Sequence, residues 1–196
     1  MFTGIVQSIG KIVVVEDIGG DARLRIAADA INLSDVKTGD SMAVNGVCLT
    51  VVELSGREFS ADVSRETLEV TTLGMLEAGH WVNLEPSLTL GASLGGHLVS
   101  GHVDGVSRVL SMEPEARSTR MGFELPARLG RYVAKKGSVT IDGTSLTVNE
   151  VSDTELFVNI VPHTSERTIM SGYSVGSQVN IEVDMIARYL ERLIQN

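Results

Sequence analysis

The sequence predicts a mostly β protein: two tandem six-stranded antiparallel closed barrels of Greek-key type, related by internal duplication, plus a C-terminal α-helix. Three observations predict it. A repeat runs at a constant offset of 97 residues, short β-branched runs alternate with turn residues inside each copy, and a helix-periodic tail lies outside the repeat.

The repeat is the firmest of the three. Gly4 in FTGIV meets Gly101 in VSGHV, and Asn45-Gly46-Val47-Cys48-Leu49-Thr50-Val51 meets Asp142-Gly143-Thr144-Ser145-Leu146-Thr147-Val148. Further on, Gly79 to Glu85 meets Gly176 to Glu182 with the same offset and no gap. Within 45–58 seven of fourteen pairs are identical, which chance rarely gives, so the halves are copies of one domain. The expected organisation is a first barrel with its linker over 1–97, a second over 98–183, and a self-association helix over 184–196. The small, glycine-rich stretch 87–97 is the linker.

In chain order, 6–15, 41–44, 48–54, 58–63 and 81–85 read as strands of the first copy, and 103–110 opens the second. Closing such a sheet removes its exposed edges. Short helical stretches are expected at 64–73 and 163–170. A clearer helix is expected over 126–133, where Pro126 suits an early helical position. In the tail, Ile186, Tyr189, Leu190 and Leu193 share one helical face. That face either packs on its own barrel or on a second copy, and periodicity does not separate the two.

Composition narrows the function classes. A balance of 16 Lys and Arg against 25 Asp and Glu, net charge -9, argues against nucleic acid or an anionic membrane as partner. The single cysteine, Cys48, excludes an intramolecular disulfide and fits a reducing cytosol. Residues 1–15 lack the basic segment and cleavage site of a secretory signal. No apolar run nears the ~18–20 residues needed to span a bilayer, so a cytoplasmic protein is expected.

Motifs for metals, dinucleotides and nucleoside triphosphates are absent. His97 and His102, five apart, would face opposite sides of a strand, so no metal is expected. Differences between the copies are more informative. Cys48 stands opposite Ser145, and Ile5 opposite His102, within the best-matched glycine-flanked segments. A lone cysteine in a strand is ordinarily a small buried hydrophobe. Here glycines let a ligand approach the backbone, and the hydroxyl pairs Ser41/Ser138, Thr50/Thr147 and Thr67/Thr164 suit a polyol or heterocycle. Two related pockets per chain follow, one with a thiol and one with an imidazole.

The start MFTGIV, the segments 45–51 and 143–148, and Gly95-Gly96-His97-Leu98-Val99-Ser100-Gly101-His102-Val103 resemble the riboflavin synthase α chain, a family of lumazine-binding repeats. The resemblance covers the whole chain. Residues 163–172 are looser than the family's usual Thr-Leu-Gly ending, and the tail is short.

The resemblance implies a dismutation. Two molecules of 6,7-dimethyl-8-ribityllumazine give riboflavin and 5-amino-6-ribitylaminouracil by four-carbon transfer, with no cofactor. It implies a homotrimer with one lumazine per barrel, brought together between the first barrel of one subunit and the second of its neighbour. Association with lumazine synthase is a further implied partnership. In the first barrel the implied contacts are Gly4, Ile5 and Val6, then Cys48, Leu49 and Thr50, then Asp62, Val63, Ser64, Arg65, Glu66 and Thr67. In the second they are Gly101, His102 and Val103, then Ser145, Leu146 and Thr147, then Ile160, Val161, Pro162, His163, Thr164 and Ser165. Lys136 corresponds to a contact from the partner subunit.

For the chemistry, the imidazole of His102 suits proton transfer near neutral pH. The Cys48 thiolate suits addition to the lumazine C7. Ser41 and Asp184 suit proton relay or orientation, and Cys48, Ser41 and a bound water all stay open as nucleophile. Lumazine proteins of luminous bacteria share this fold and hold the ligand as a chromophore. The presence of Cys48, Ser41 and His102 favours the enzyme.

Overall fold

Strand formation follows from alternation. In Ala22-Arg23-Leu24-Arg25-Ile26-Ala27, Ala22, Leu24 and Ile26 are buried while the arginines face out. This strand lies outside the strands expected from the sequence, although its period-2 pattern is plain. The computed structural model describes residues 1–194, so the last two residues of the expected tail lie outside the described residues.

The first copy comprises β1 (Ser8–Asp17), β2 (Ala22–Ala27), β3 (Ser41–Val44), β4 (Val47–Ser55), β5 (Glu58–Val63), α1 (Arg65–Val70) and β6 (Trp81–Pro86). Its strands close in the order β1-β2-β5-β4-β3-β6, every pair antiparallel, with β6 returning to β1. The core includes Ile12, Leu24, Ile26, Met42, Phe59 and Leu84.

The second copy comprises β7 (Gly105–Glu115), β8 (Ser118–Glu124), β9 (Ser138–Ile141), β10 (Thr144–Thr147), β11 (Glu150–Val151), β12 (Glu155–Ile160), α2 (Pro162–Arg167) and β13 (Gln178–Val183). Its sheet runs β10-β9-β13-β7-β8-β12-β11 around a core that includes Phe123, Ile141, Leu156 and Ile181. The ladder ends at β10 and β11, which are consecutive in the chain. Together they occupy the place of β4, but Asn149 stands where β4 has Val52 and fits a strand less well. Val148 N–H bonds Gly137 O at 2.9 Å on one side, and Asn149 N–H bonds Phe157 O at 2.8 Å on the other. The curled sheet thus meets itself through the covalent chain, where the first copy keeps one continuous strand, β4, with a register shift between Val51 and Glu53.

The helix expected over 126–133 is instead a 3₁₀ segment, Ala127–Tyr132. Pro126 supplies no side-chain cap there, and Gly130 weakens an α-helix. By contrast α1 is capped by Ser64, whose hydroxyl accepts from Thr67 N–H at 3.2 Å.

The copies interlock through their leading segments. Phe2 and Val99 exchange backbone hydrogen bonds of 2.8 and 3.1 Å, and both side chains are buried against Ala43. Burying a phenylalanine is worth about 1.5–3 kcal/mol. Near the approximate two-fold axis, Gly46 and Gly143 touch, and a Cβ at Gly46 would lie 2.6 Å from Gly143 N. Both adopt positive φ, +80° and +76°, so two requirements select glycine here. Asn83 and Asn180 tie the halves together: each side-chain amide donates at 2.8 Å to a carbonyl of the other copy, Asp142 O and Asn45 O.

The tail forms α3 (Met185–Ile194), anchored to the second copy by Arg188–Asp104 at 2.5 Å and by Glu191 with Arg131 and Tyr132. Its apolar face is uncovered: Ile186, Tyr189, Leu190 and Leu193 are each more than half exposed. Among the described residues, no helix is long and apolar enough to cross a membrane.

Candidate functional site

Along β4 the side chains of Val47, Leu49 and Val51 enter the core, so Cys48 and Thr50 must point outward. Ser41 pairs with Thr50 and Ala43 with Cys48 across β3, which sets Ser41, Cys48 and Thr50 on one outer face. The same alternation in β10 turns Ser145 and Thr147 outward while Leu146 is buried. Leu49 and Leu146 therefore offer a ligand backbone rather than side chain.

Each outer face is covered by the leading segment of the other copy. Cys48 N–H donates to Gly101 O at 2.9 Å, and Ser145 N–H donates to Gly4 O at 2.7 Å. A Cβ at Gly101 would lie 2.6 Å from Cys48 Cβ, and one at Gly4 would lie 2.6 Å from Ser145 Cβ. Both positions also need positive φ, so glycine permits the approach twice over.

This regroups the candidate residues. The segment 101–103 borders the thiol face of 48–50, and the segment 4–6 borders the hydroxyl face of 145–147. Assigning 4–6 with 48–50 to one pocket, and 101–103 with 145–147 to the other, is therefore corrected. Cys48 and His102 border one face within a single chain. His102 and Ile5 are exposed next to the covering glycines, and Val103 packs on the first core.

The remaining candidates flank these faces. Asp62, next to the last residue of β5, forms a bidentate pair with Arg23 at 2.6 and 2.9 Å, which lowers its carboxyl pKa. Val63 is core, Ser64 caps α1, and Arg65 pairs with Glu69 at 2.7 Å beside exposed Glu66. Thr67 O accepts the Thr71 hydroxyl at 2.6 Å, as Thr164 O accepts the Thr168 hydroxyl at 2.7 Å. Ile160 is core, Val161 precedes α2, and Pro162, His163, Thr164 and Ser165 form its first turns. Lys136 is exposed in a turn at φ +69°. Ser41 also borders a cavity of about 330 Å³ that includes Gln7, Asn32 and Asp40. Asp184 precedes α3 and accepts Ile186 N–H at 2.9 Å, and its charge acts on His97.

Three residues outside the sequence-derived set organise the site. Glu85 accepts from Thr3 N–H and Thr3 hydroxyl, both at 2.6 Å, and from Gly4 N–H at 3.0 Å. Glu182 does the same for Ser100 N–H at 2.9 Å, Ser100 hydroxyl at 2.6 Å and Gly101 N–H at 3.1 Å. Burial pushes both carboxyls up, and the donors oppose that shift. Their identity in both copies was visible in the repeat, but their role as clamps on the two covering segments was not. The third is His97, whose Nδ1 lies 2.7 Å from Ser145 Oγ.

A family model described as the lumazine binding domain matches residues 3–87 and again 100–184. The chain is 44% identical over 194 residues to a riboflavin synthase of Photobacterium phosphoreum, covering 99% of this chain and 89% of that relative. It is also 44% identical over 200 residues to a riboflavin synthase of Mycobacterium bovis, covering 100% of this chain and 99% of the relative. Among solved structures, LumP complexed with riboflavin aligns at TM-score 0.86 and 32% identity, over 93% of this chain and 99% of that one. LumP complexed with 6,7-dimethyl-8-(1'-D-ribityl) lumazine aligns at TM-score 0.83 and 31% identity, with the same coverage.

Proposed function

Because the chain belongs to the lumazine-binding domain family in both of its halves, we propose that it is a transferase of riboflavin synthesis. It converts two molecules of 6,7-dimethyl-8-ribityllumazine into riboflavin and 5-amino-6-ribitylaminouracil. The observation that carries this reading is the pair of related but unequal faces. One presents Cys48 beneath Gly101-His102, and the other presents Ser145 beneath Gly4-Ile5. This inequality suits a dismutation, in which identical substrates act as donor and acceptor.

The chemistry starts with a proton. Loss of a proton from the 7-methyl of one lumazine leaves an anion delocalised over its rings. Exposed His102 is the base we assign, since an imidazole accepts protons near neutral pH. Outward-facing Cys48 is the group we assign to addition at C7 of a lumazine, with Ser41 and Asp184 orienting or relaying protons. Alignment of two bound rings supplies a large share of the acceleration, up to about 7–11 kcal/mol where reacting groups are held well.

Assembly follows from α3. Its uncovered apolar face suits burial against further copies, and a homotrimer in which one subunit's thiol face meets a neighbour's hydroxyl face brings the two lumazines together. Lys136, exposed on its turn, is the residue that reaches across. Residues 184–196 act as the trimerisation tail behind lumazine-binding units 1–97 and 98–183. The cytoplasm is the proposed location, and lumazine synthase, the source of the substrate, is a proposed associate.

A second reading, a non-catalytic lumazine-binding chromophore protein, is favoured by the likeness to LumP. Incubation with the lumazine alone, followed by chromatography, separates the two. The enzyme reading requires one riboflavin for every two lumazines consumed. Stable binding with no riboflavin over many hours would establish the chromophore reading instead.

A further inference from the structure

A cavity of about 770 Å³ lies at the junction of the two copies. Trp81 and Ile9 line it from the first copy, and Ile169 and Tyr173 from the second. Its volume suits a small molecule, and such sites favour junctions between domains. None of its lining residues belongs to the two lumazine faces. His80 and Trp81 line it together with Ser177 and Gln178, their equivalents at the offset of 97, so the cavity spans the approximate two-fold axis. The segments 79–85 and 176–182 share Gly, Val, Asn and Glu and exchange only Leu84 for Ile181 besides. Their chemistry thus changes at the two positions that line the cavity. Trp81, the single tryptophan, is 58% exposed there.

The polar groups around the indole point to one class of ligand. His80 Nδ1 accepts Glu77 N–H at 3.2 Å, so the neutral ring carries its proton on Nε2, as a donor. The Gln178 amide adds a further donor. No carboxylate lines the cavity, in a chain with 25 Asp and Glu against 16 Lys and Arg. Cations flank it instead: across the ladders Lys11 stands opposite Trp81, and Arg108 opposite Gln178. Directly opposed residues share a face of the sheet. The Lys11 ammonium lies 5.2 Å from the centre of the Trp81 ring, and Arg108 is exposed.

We propose that this cavity binds a purine nucleotide, with its base stacked on Trp81 and its phosphate toward Arg108. A purine offers a broad face to the indole and ring acceptors to the His80 and Gln178 donors. The Ser171 and Ser177 hydroxyls suit the ribose. The site is separate from the lumazine faces, so the proposal does not depend on the reaction assigned to them.

Quenching of tryptophan fluorescence by adenosine and guanosine monophosphate, read beside equilibrium dialysis on the full-length protein, tests this. Neither nucleotide absorbs where tryptophan emits, so quenching reports contact with the ring. Saturable quenching should track the dialysis curve. Trp81→Gln replaces an exposed side chain with the residue type the second copy carries there, and should leave the fold and riboflavin formation unchanged. Dialysis should show its nucleotide affinity lowered about tenfold to a hundredfold, the scale of a lost base–aromatic stack. Arg108→Gln should weaken the monophosphates by up to about fivefold at low salt, as for one exposed charge pair, and should leave the unphosphorylated nucleosides unaffected. Saturation with lumazine should not displace the nucleotide. No saturable binding at millimolar nucleotide, displacement by lumazine, or full affinity in Trp81→Gln would overturn the proposal.

Discussion

Replacing Asp142 with Asn removes a buried carboxyl from the junction between the two copies. Asp142 is 2% exposed, accepts Asn180 N–H at 2.8 Å and accepts the Tyr173 hydroxyl at 2.5 Å. Desolvation pushes its pKa from 3.8 to about 7, and the two donors offset only part of that rise. The first copy has Asn45 at this position and Leu76 in place of Tyr173, so an amide fits the local backbone. A rise of about three units, at about 1.4 kcal/mol each, corresponds to a linkage of about 4 kcal/mol. The sign follows from proton uptake: the folded state binds the proton more tightly than the unfolded chain. The stabilisation is therefore fully present below about pH 4, declines as pH rises toward 7, and is flat above. Burial raises Glu85 and Glu182 in the same direction, so the difference between parent and variant isolates Asp142. Urea unfolding from pH 4 to 8 at one protein concentration, followed by the fluorescence of the single tryptophan, gives both curves. The parent should lose on the order of 4 kcal/mol that Asp142→Asn keeps. Parallel curves would refute the reasoning and show that Asp142 is ionised in the folded state at ordinary cost.

Cys48→Ala and His102→Gln should each lower turnover, on the order of 10²–10⁴-fold for a lost acid–base group. Assemblies mixed from the two should gain no activity above the parents, because both residues border one face of one chain; a clear gain measured after subunit exchange would mean that they meet across subunits. Deleting residues 185–196 should leave both cores folded, since no residue of α3 is buried, but should shift sedimentation of the proposed trimer toward monomer. Unchanged sedimentation would assign assembly to another surface.

The sequence made the duplication, the β character and the outward direction of Cys48 legible, because each follows from a period or an offset within a short stretch. Which leading segment covers which barrel was not legible. An offset of 97 says that Gly4 and Gly101 are equivalent, and it is equally satisfied whether each lies on its own copy or on the other. His97 has no metal-ligand partner legible in the sequence, and its actual partner lies 48 residues away on β10. Asp142 and Tyr173 both depart from their first-copy counterparts, yet their coupling appears only once the fold brings the hydroxyl to the carboxylate. The 126–133 stretch shows the limit of local signals. Pro126 suits a helix start, but the segment that follows tightens to 3₁₀.

The central claim is that one bound lumazine gives its four carbons to another. Lumazine labelled with ¹³C at both methyl groups and at C6 and C7 tests it most directly, with NMR following the label as the protein turns over. The account predicts that all of the label consumed appears in the carbocyclic ring of riboflavin and its two methyl substituents, and that the released 5-amino-6-ribitylaminouracil carries none. Label that stays in intact, protein-bound lumazine, or that appears in the released pyrimidine, would contradict it.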